Sequence, residues 1–507
     1  MTDVQATTTP PFRRMLVANR GEIAVRIMAT CRDMGIESVA VYSDADVRAR
    51  HTRTADIAVR IGPPAARDSY LSVPALLAAA AATGAEAVHP GYGFLSENAD
   101  FAQACADAGL VFIGPTPDTI TRMGSKINAR VAADRAGVPV VPGVTPNAQT
   151  VEAIADAAQH LGFPLLLKPS AGGGGIGMTT VRDASGLLAA IQTAQREALA
   201  AFGDGTLYVE RLIDVPRHIE FQILGDHHGQ IVHLFERECS LQRRHQKVLE
   251  ESPSAALHPQ LRARMGAAAV AIGREVGYRN AGTVEFLVEG TGADARFYFL
   301  EMNTRLQVEH AVTEQVTGLD LVRAQIMAAS GARLPWSQEA ITQRGHAMEL
   351  RIYAEDPRKG DVPQAGAIIL YREPSLPGVR VDSAIDEGDV VSVYYDPLLA
   401  KLIVTGEHRE AARRRALSAL RSFPILGIRT NIPLLVAMLE HPDVVAGEID
   451  TGFLTREGPA LRARLDAPPS PEAVAVAIAH RAAARAASPT GQPVAPDPWV
   501  SLRGLRV

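Results

Sequence analysis

Apolar and polar positions change in blocks along the first 120 residues. Met15–Ala18 is a short apolar run, Asn19-Arg20-Gly21-Glu22 follows as a turn, and Ile23–Met34 reads as a helix. Gly35 stops that helix, and Ser38–Tyr42 reads as a second strand. The rhythm continues with a helix over Val73–Ala82 and strands at Ala87–His89 and Val111–Ile113. Strand, turn, helix and strand in repetition predict a parallel sheet covered by helices. The loop His89-Pro90-Gly91-Tyr92-Gly93-Phe94 leaves a strand end, where open α/β sheets bind ligands.

A boundary follows at Pro139–Gly143. Beyond it a smaller unit is predicted: helix 151–161, strand Leu165–Lys168, a glycine loop, strand Met178–Val181, helix 186–199 and strand Leu207–Glu210. Residues 218–305 read as strand-rich, 307–330 and 409–440 as helical, and 346–405 as β-rich. From about 465 the chain turns Ala/Arg/Pro-rich, with Ala473–Ala487 as a candidate helix.

The 507 residues exceed what one core holds, so several domains are expected. A net charge of −5 leaves no nucleic-acid footprint, and no apolar run is long enough to span a membrane. Cys31, Cys105 and Cys239 are scattered without CxxC spacing, which fits a reducing, cytoplasmic setting and no disulfide framework. Residues 1–14 read as a disordered tail rather than a signal peptide. Five of the 51 basic residues are lysine, namely Lys126, Lys168, Lys247, Lys359 and Lys401, and the rest are arginine. Lysine is a compact charge suited to reaching a phosphate, so a retained lysine is a candidate for that work. Lys359 reads as a surface residue, and Lys401 as structural or at an interface.

Lys168 precedes Gly172–Gly175 and Gly177, which lie between two predicted strands. Consecutive glycines let backbone N–H groups close on an anion, so this reads as a flap over phosphates. Gly282–Glu289 and Arg296–Glu301 read as a hairpin centred on position 293, which sets Glu285 opposite Glu301 among apolar neighbours. Buried like charges in that position repel, and a divalent cation held by oxygen ligands removes the conflict. Asn303, on the same face as Glu301, is a third candidate ligand. Arg305, Gln307 and Glu309 continue on alternate positions and suit a small anion beside a proton acceptor. Cys239–Lys247 gathers Arg243, Arg244, His245 and Lys247 for an anionic small molecule.

These segments together resemble biotin carboxylase, an ATP-grasp enzyme. The residues that carry the resemblance are LVANRGEIAVRI (16–27), HPGYGFLSEN (89–98), KPSAGGGGIGM (168–178), ERLIDVPRHIEFQ (210–222), ECSLQRRHQKVLEE (238–251), EMNTRLQVEH (301–310), RIYAEDP (351–357) and YYDPLLAKL (394–402). The match runs over roughly 15–455. It implies an α/β chain with an N-terminal parallel-sheet domain (15–125), an ATP-grasp domain (126–345, with a mobile lid at about 140–213), a C-terminal α+β domain (346–455) and an extension (456–507). It implies ATP contacts at Lys126, Lys168, Gly174, Gly175, Glu210, Arg211, Leu212, Ile213, His218, Gln242, His245, Glu285 and Glu301. Glu285, Glu301 and Asn303 would hold Mg²⁺ or Mn²⁺. Lys247, Arg305, Gln307 and Val308 would hold bicarbonate, Glu309 would be the base, and Arg305 the central catalytic cation. Arg351 would meet biotin and stabilise its enolate.

Two positions depart from the family pattern. Residue 176 is Ile where relatives carry Lys or Arg, and residue 353 is Tyr, as in acyl-CoA carboxylase subunits rather than stand-alone forms. No Met-Lys pair exists in the chain, so by that motif it does not carry its own biotin and acts on free biotin or, as the resemblance implies, on biotin held by a separate carrier. The implied partners are a biotin carrier and a carboxyltransferase subunit, in a homodimer or larger complex. The final acyl acceptor is not specified. Two other readings stand beside this one: a different ATP-grasp carbon–nitrogen ligase, and a non-catalytic regulatory homologue. The latter would be expected to have lost Glu285, Glu301, Lys247 or Arg305, and all four are present.

Overall fold

A computed structural model describes residues 10–170, 177–244 and 246–466, and Ala475. Gly174, Gly175, Ile176, His245 and, Ala475 apart, the helix expected at 473–487 lie outside the described residues. The first nine positions of the expected N-terminal tail are also outside them. Phe12, however, is buried in the core and Arg14 opens the first strand, so the fold reaches further towards the N-terminus than position 15.

Strands β1 (Arg14–Val17), β2 (Glu37–Ser43), β3 (Ile57–Gly62), β4 (Ala87–His89) and β5 (Val111–Phe112) form a parallel sheet in the order β3-β2-β1-β4-β5. Helix α1 (Gly21–Asp33) buries Ile23, Ile27 and Cys31 with Leu306, Leu321 and Ile326. Helix α2 (Val73–Thr83) takes part in the second cluster, with Leu16, Val39, Val41 and Val88. The parallel-sheet expectation therefore holds. Helix α1 starts two residues earlier than its apolar pattern suggested. After β4, the loop folds back: Asn19 Nδ2 donates to Pro90 O (2.7 Å) and Tyr92 O (2.8 Å). Gly91 there has φ +64° and lies so near Asn19 that a Cβ would sit 2.9 Å from its Nδ2.

The smaller unit is a four-stranded antiparallel sheet of β6 (Gly143–Val144), β7 (Leu165–Pro169), β8 (Thr179–Val181) and β9 (Leu207–Arg211), in the order β6-β9-β7-β8. Helices α3 (Val151–Leu161) and α4 (Leu187–Phe202) close its own apolar core around Ile154, Leu165, Ile191 and Val209.

The largest element is an eight-stranded antiparallel sheet. It comprises β10 (Arg217–Gly225), β11 (Ile231–Arg243), β12 (Gln246–Ser252), β13 (Asn280–Glu289), β14 (Arg296–Asn303), β15 (His346–Tyr353), β16 (Val379–Ser383) and β17 (Leu398–Gly406). Their order is β14-β13-β10-β11-β12-β15-β17-β16, so pairing continues without a break across position 346. One helix inside the span read as strand-rich escaped the sequence reading: α5 (Pro259–Glu275), capped by His258, buries Leu261, Met265, Ala269 and Ile272 at helical spacing. It packs with Phe221, Phe286 and Phe299 of the sheet. Helices α6 (His310–Thr317) and α7 (Leu321–Ala329) follow the site loop, and α8 (Arg409–Arg421) packs on β17 and β15.

Charged residues lock the central strands together. Burial alone would raise the Glu251 carboxyl, but the hydrogen bond from His346 and the charge of Arg409 outweigh it and bring it down to about 2. A carboxyl with a depressed folded pKa gives stability that is complete above its unfolded value of about 4.3 and is lost as pH falls below it. Glu251→Gln is therefore expected to flatten the acid limb of stability against pH in urea titrations. An acid limb of unchanged steepness would contradict this.

Candidate active site

The hairpin β13–β14 sets Glu285 directly opposite Glu301, as the register centred on 293 requires. A bulge at Leu300 then shifts the pairing, so Phe286 meets Phe299. Glu285 accepts from Lys247 Nζ (3.0 Å) and Asn303 Nδ2 (2.7 Å), and His218 Nε2 lies 2.8 Å from it. Burial would raise Glu285, but Lys247 and then His218 hold it well below the usual carboxylate range. Burial and the facing Glu285 raise Glu301, whose carboxylate has no hydrogen bond or ion pair among the described residues. One ionised and one unpartnered carboxylate, with an amide oxygen beside them, fit a hard divalent cation. His218, Glu220 and Glu285 offer ligand atoms within 4.8 Å of one another.

Lys247 is the hub. Its ammonium contacts Glu220, Glu285 and Glu309, the last at 2.6 Å. Burial works against that charge, yet the three carboxylates raise its pKa well above the ordinary value. Arg351 bridges Glu309 Oε2 (3.0 Å) and Glu250 Oε1 (2.6 Å). Glu220, which the sequence reading missed, also accepts from Arg237 Nε. Arg237, fully buried, further donates to Gln222 (2.9 Å), Thr313 (3.0 Å) and Thr283 (3.1 Å). Arg237→Met is expected to cost about 3–5 kcal/mol in urea unfolding, because it strips a buried carboxylate of a partner. A loss below about 1 kcal/mol would contradict that accounting.

After Asn303 the chain leaves the sheet, so Arg305, Gln307 and Glu309 are not on a continued strand. Glu97 causes the turn by accepting from Thr304 N (2.9 Å) and Arg305 Nε (2.8 Å). The loop still gathers the three. Arg305 donates to Gln307 Oε1 (3.0 Å), and Glu309 turns onto Lys247 and Arg351. The buried Nε2 of Gln307 has no partner among the described residues, which leaves a donor for an anion. Val308 O accepts from Lys401 Nζ (2.7 Å), giving that lysine a buried structural place.

Lys168 is buried against Glu210 at 2.5 Å, and Glu210 also meets Arg130. Lys126 is half-buried; burial, then the nearby Lys168, lower its pKa against the pull of Glu301. The mutual effect of the two ammonium groups favours an anion beside them. Arg211 spends its side chain on Glu289 (3.0 Å) and Tyr298, Ile213 packs into a small apolar cluster, and Leu212 N donates to Pro164 O (3.0 Å). Gln242 pairs in register with Lys247. Buried Tyr353 accepts from Gln246 Nε2 (3.1 Å) through its hydroxyl.

Three family models match in sequence: biotin carboxylase N-terminal domain (residues 11–120), carbamoyl-phosphate synthase L chain ATP binding domain (125–337) and biotin carboxylase C-terminal domain (349–456). The biotin carboxylase of Halalkalibacterium halodurans is 50% identical over 444 residues, covering 88% of this chain and 97% of that protein. The mitochondrial methylcrotonoyl-CoA carboxylase subunit alpha of Oryza sativa is 51% identical over 444 residues, 87% of this chain; the chain spans 60% of that subunit. Among solved structures, a Campylobacter jejuni biotin carboxylase in a β-γ-ATP complex superposes with TM-score 0.85 at 43% identity, covering 88% of this chain and 99% of that one. The biotin carboxylase domain dimer of Hydrogenobacter thermophilus 2-oxoglutarate carboxylase, with MgADP, ADP and bicarbonate, gives 0.86 at 44%, covering 90% and 99%. Half of the aligned residues, the sheet order and the ring of carboxylates around Lys247 agree on one conclusion: the chain belongs to the biotin carboxylase family.

Proposed function

We propose that this chain performs the first half-reaction of an acyl-CoA carboxylase, the ATP- and bicarbonate-dependent carboxylation of biotin held on a separate carrier. The observation that carries this reading is the Lys247 ammonium among Glu220, Glu285 and Glu309, with Arg351 against Glu309. Lys126 and Lys168 take the nucleotide phosphates, with Gly174 and Gly175 covering them, and Glu210, Arg211, Leu212, Ile213, His218, Gln242 and His245 frame the nucleotide. Glu285, Glu301 and Asn303 hold Mg²⁺ or Mn²⁺, which when bound would offset charge on the phosphate oxygens. Lys247, Arg305, Gln307 and Val308 hold bicarbonate, and Arg305 is the cation on which its charge rests as it attacks the γ-phosphate. Glu309 takes the bicarbonate proton. Carboxyphosphate breaks down to CO₂ and phosphate, the phosphate takes the ureido N–H proton, and Arg351 steadies the resulting enolate of biotin while its nitrogen captures the CO₂. Closure of residues 140–213 excludes water, which protects a labile carboxyphosphate.

Carrier and carboxyltransferase partners, a dimeric assembly and a cytoplasmic setting belong to the same reading. Tyr353 and the likeness to the rice subunit favour an acyl-CoA carboxylase. No helix among the described residues is long and apolar enough to cross a membrane. The test is ATP cleavage by the purified chain with and without bicarbonate and free biotin. Cleavage should need bicarbonate and rise with biotin; hydrolysis indifferent to both would overturn the proposal.

A further inference from the structure

The site contains a carboxylate pair that the proposed reaction does not use. Strands β12 and β15 run antiparallel, and their register puts Glu250 directly opposite Glu349. Both residues are 0% exposed. Glu250 spends Oε1 on Arg351, while its Oε2 and both oxygens of Glu349 have no hydrogen-bond partner among the described residues. Three buried acceptor atoms on these two carboxyl groups lack a donor, and with both ionised Arg351 and Lys401 would have to offset two facing charges. One proton lodged between them supplies the missing donor and removes one charge.

We propose that Glu250 and Glu349 share one proton and act together as positioning residues that hold Arg351 against Glu309. The role in carboxylation rests on the function proposed above, whereas the shared proton follows from the strand register and burial alone. The charged groups around Glu349 are Lys401 from β17, Glu250 from β12, Arg351 on its own strand and Glu309 from the site loop; Lys247 also acts on Glu250. Lys401 is occupied by Val308 O, with Glu22 and Asp382 beside it. His310, at the start of α6, is kept neutral by burial and by Lys401. Burial pushes Glu349 well above the carboxylate range; it also raises Glu250, against the pull of Arg351, to about 7.

With one proton between them the pair puts one negative charge beside Arg351 instead of two, and Glu309, which faces the same guanidinium, is shared with Lys247. The guanidinium then keeps positive charge for an oxyanion developing on substrate. Infrared spectroscopy of the whole chain at neutral pH reads the proton directly, without turnover. A protonated-carboxyl C=O band that shifts in D₂O is expected in the parent protein. It should vanish in Glu349→Gln and move in frequency in Glu349→Asp, which keeps the acid. In the kcat–pH profile, Glu349→Gln should carry the acid limb to lower pH, because a permanent amide donor lets Glu250 ionise more readily. A parent spectrum with no such band, or a band untouched by both substitutions, would overturn the pair. Loss of bicarbonate dependence with the band intact would overturn the proposed function and leave the pair standing.

Discussion

Glu309→Gln is expected to lower kcat by about 10²–10⁴-fold while leaving nucleotide binding largely intact, the usual effect of deleting a general base. Burial would raise Glu309, but Lys247, Arg351 and Arg237 hold it well below the usual carboxylate range. Such a group is a weak base for as long as those cations face it undivided. In the proposed reaction a bicarbonate anion drawn to Lys247 and Arg305 would take a share of that positive charge, so substrate binding itself would return basicity to Glu309. The glutamine keeps the shape and a donor–acceptor group but cannot accept the proton. The measurement is steady-state ATP cleavage at saturating bicarbonate and biotin, with nucleotide affinity followed separately. A variant within about threefold of the parent kcat would remove Glu309 from the role of base.

Glu301→Gln should have two effects of opposite sign. Without metal it relieves the repulsion across β13–β14 and should stabilise the fold by about 0.2–1 kcal/mol, the range for cross-strand pairs. With metal present it removes a proposed ligand. Groups that only support ligands are worth about 10–100-fold in affinity, so a direct ligand should cost at least that in the Mg²⁺ or Mn²⁺ concentration for half-maximal activity. Thermal melts in chelator and metal titrations of activity read the two effects apart. Full metal-dependent activity at the parent's metal concentration would exclude Glu301 as a ligand.

Local pattern was enough for part of the molecule. The strand at Ala87–His89 and the helix at Val151–Leu161 lie where the sequence pattern put them, the strand expected at Leu165–Lys168 runs one residue further to Pro169, and Thr150 caps the helix by accepting from Ala153 N. The facing of Glu285 and Glu301 needed only a period of two and a turn centre. What failed depends on distant residues. The strand extrapolated through Arg305 ends because Glu97, about two hundred residues earlier, captures Thr304 and Arg305. Glu220 and Glu349 alternate with apolar residues, Arg237 lies between Glu236 and Glu238, and Glu250 precedes Glu251, so all four resemble a solvated face. They are buried because the sheet is covered on both sides, which a single strand does not reveal. Their signal was present only as pairs, such as Glu220 aligned with Glu285 and Glu250 with Glu349, once the strand order is known. Helix α5 was hidden for another reason: its alanine-rich run carries a weak apolar stripe within a strand-rich stretch.

In the proposed reaction the carbon of bicarbonate reaches biotin at this site. Incubation of the purified chain with ATP, Mg²⁺, isotope-labelled bicarbonate and free biotin or a biotinylated carrier measures that transfer. Acid-labile label on biotin is predicted, dependent on ATP and strongly reduced in Glu309→Gln. Label absent from biotin while ATP is consumed, or label transferred equally well by Glu309→Gln, would contradict it.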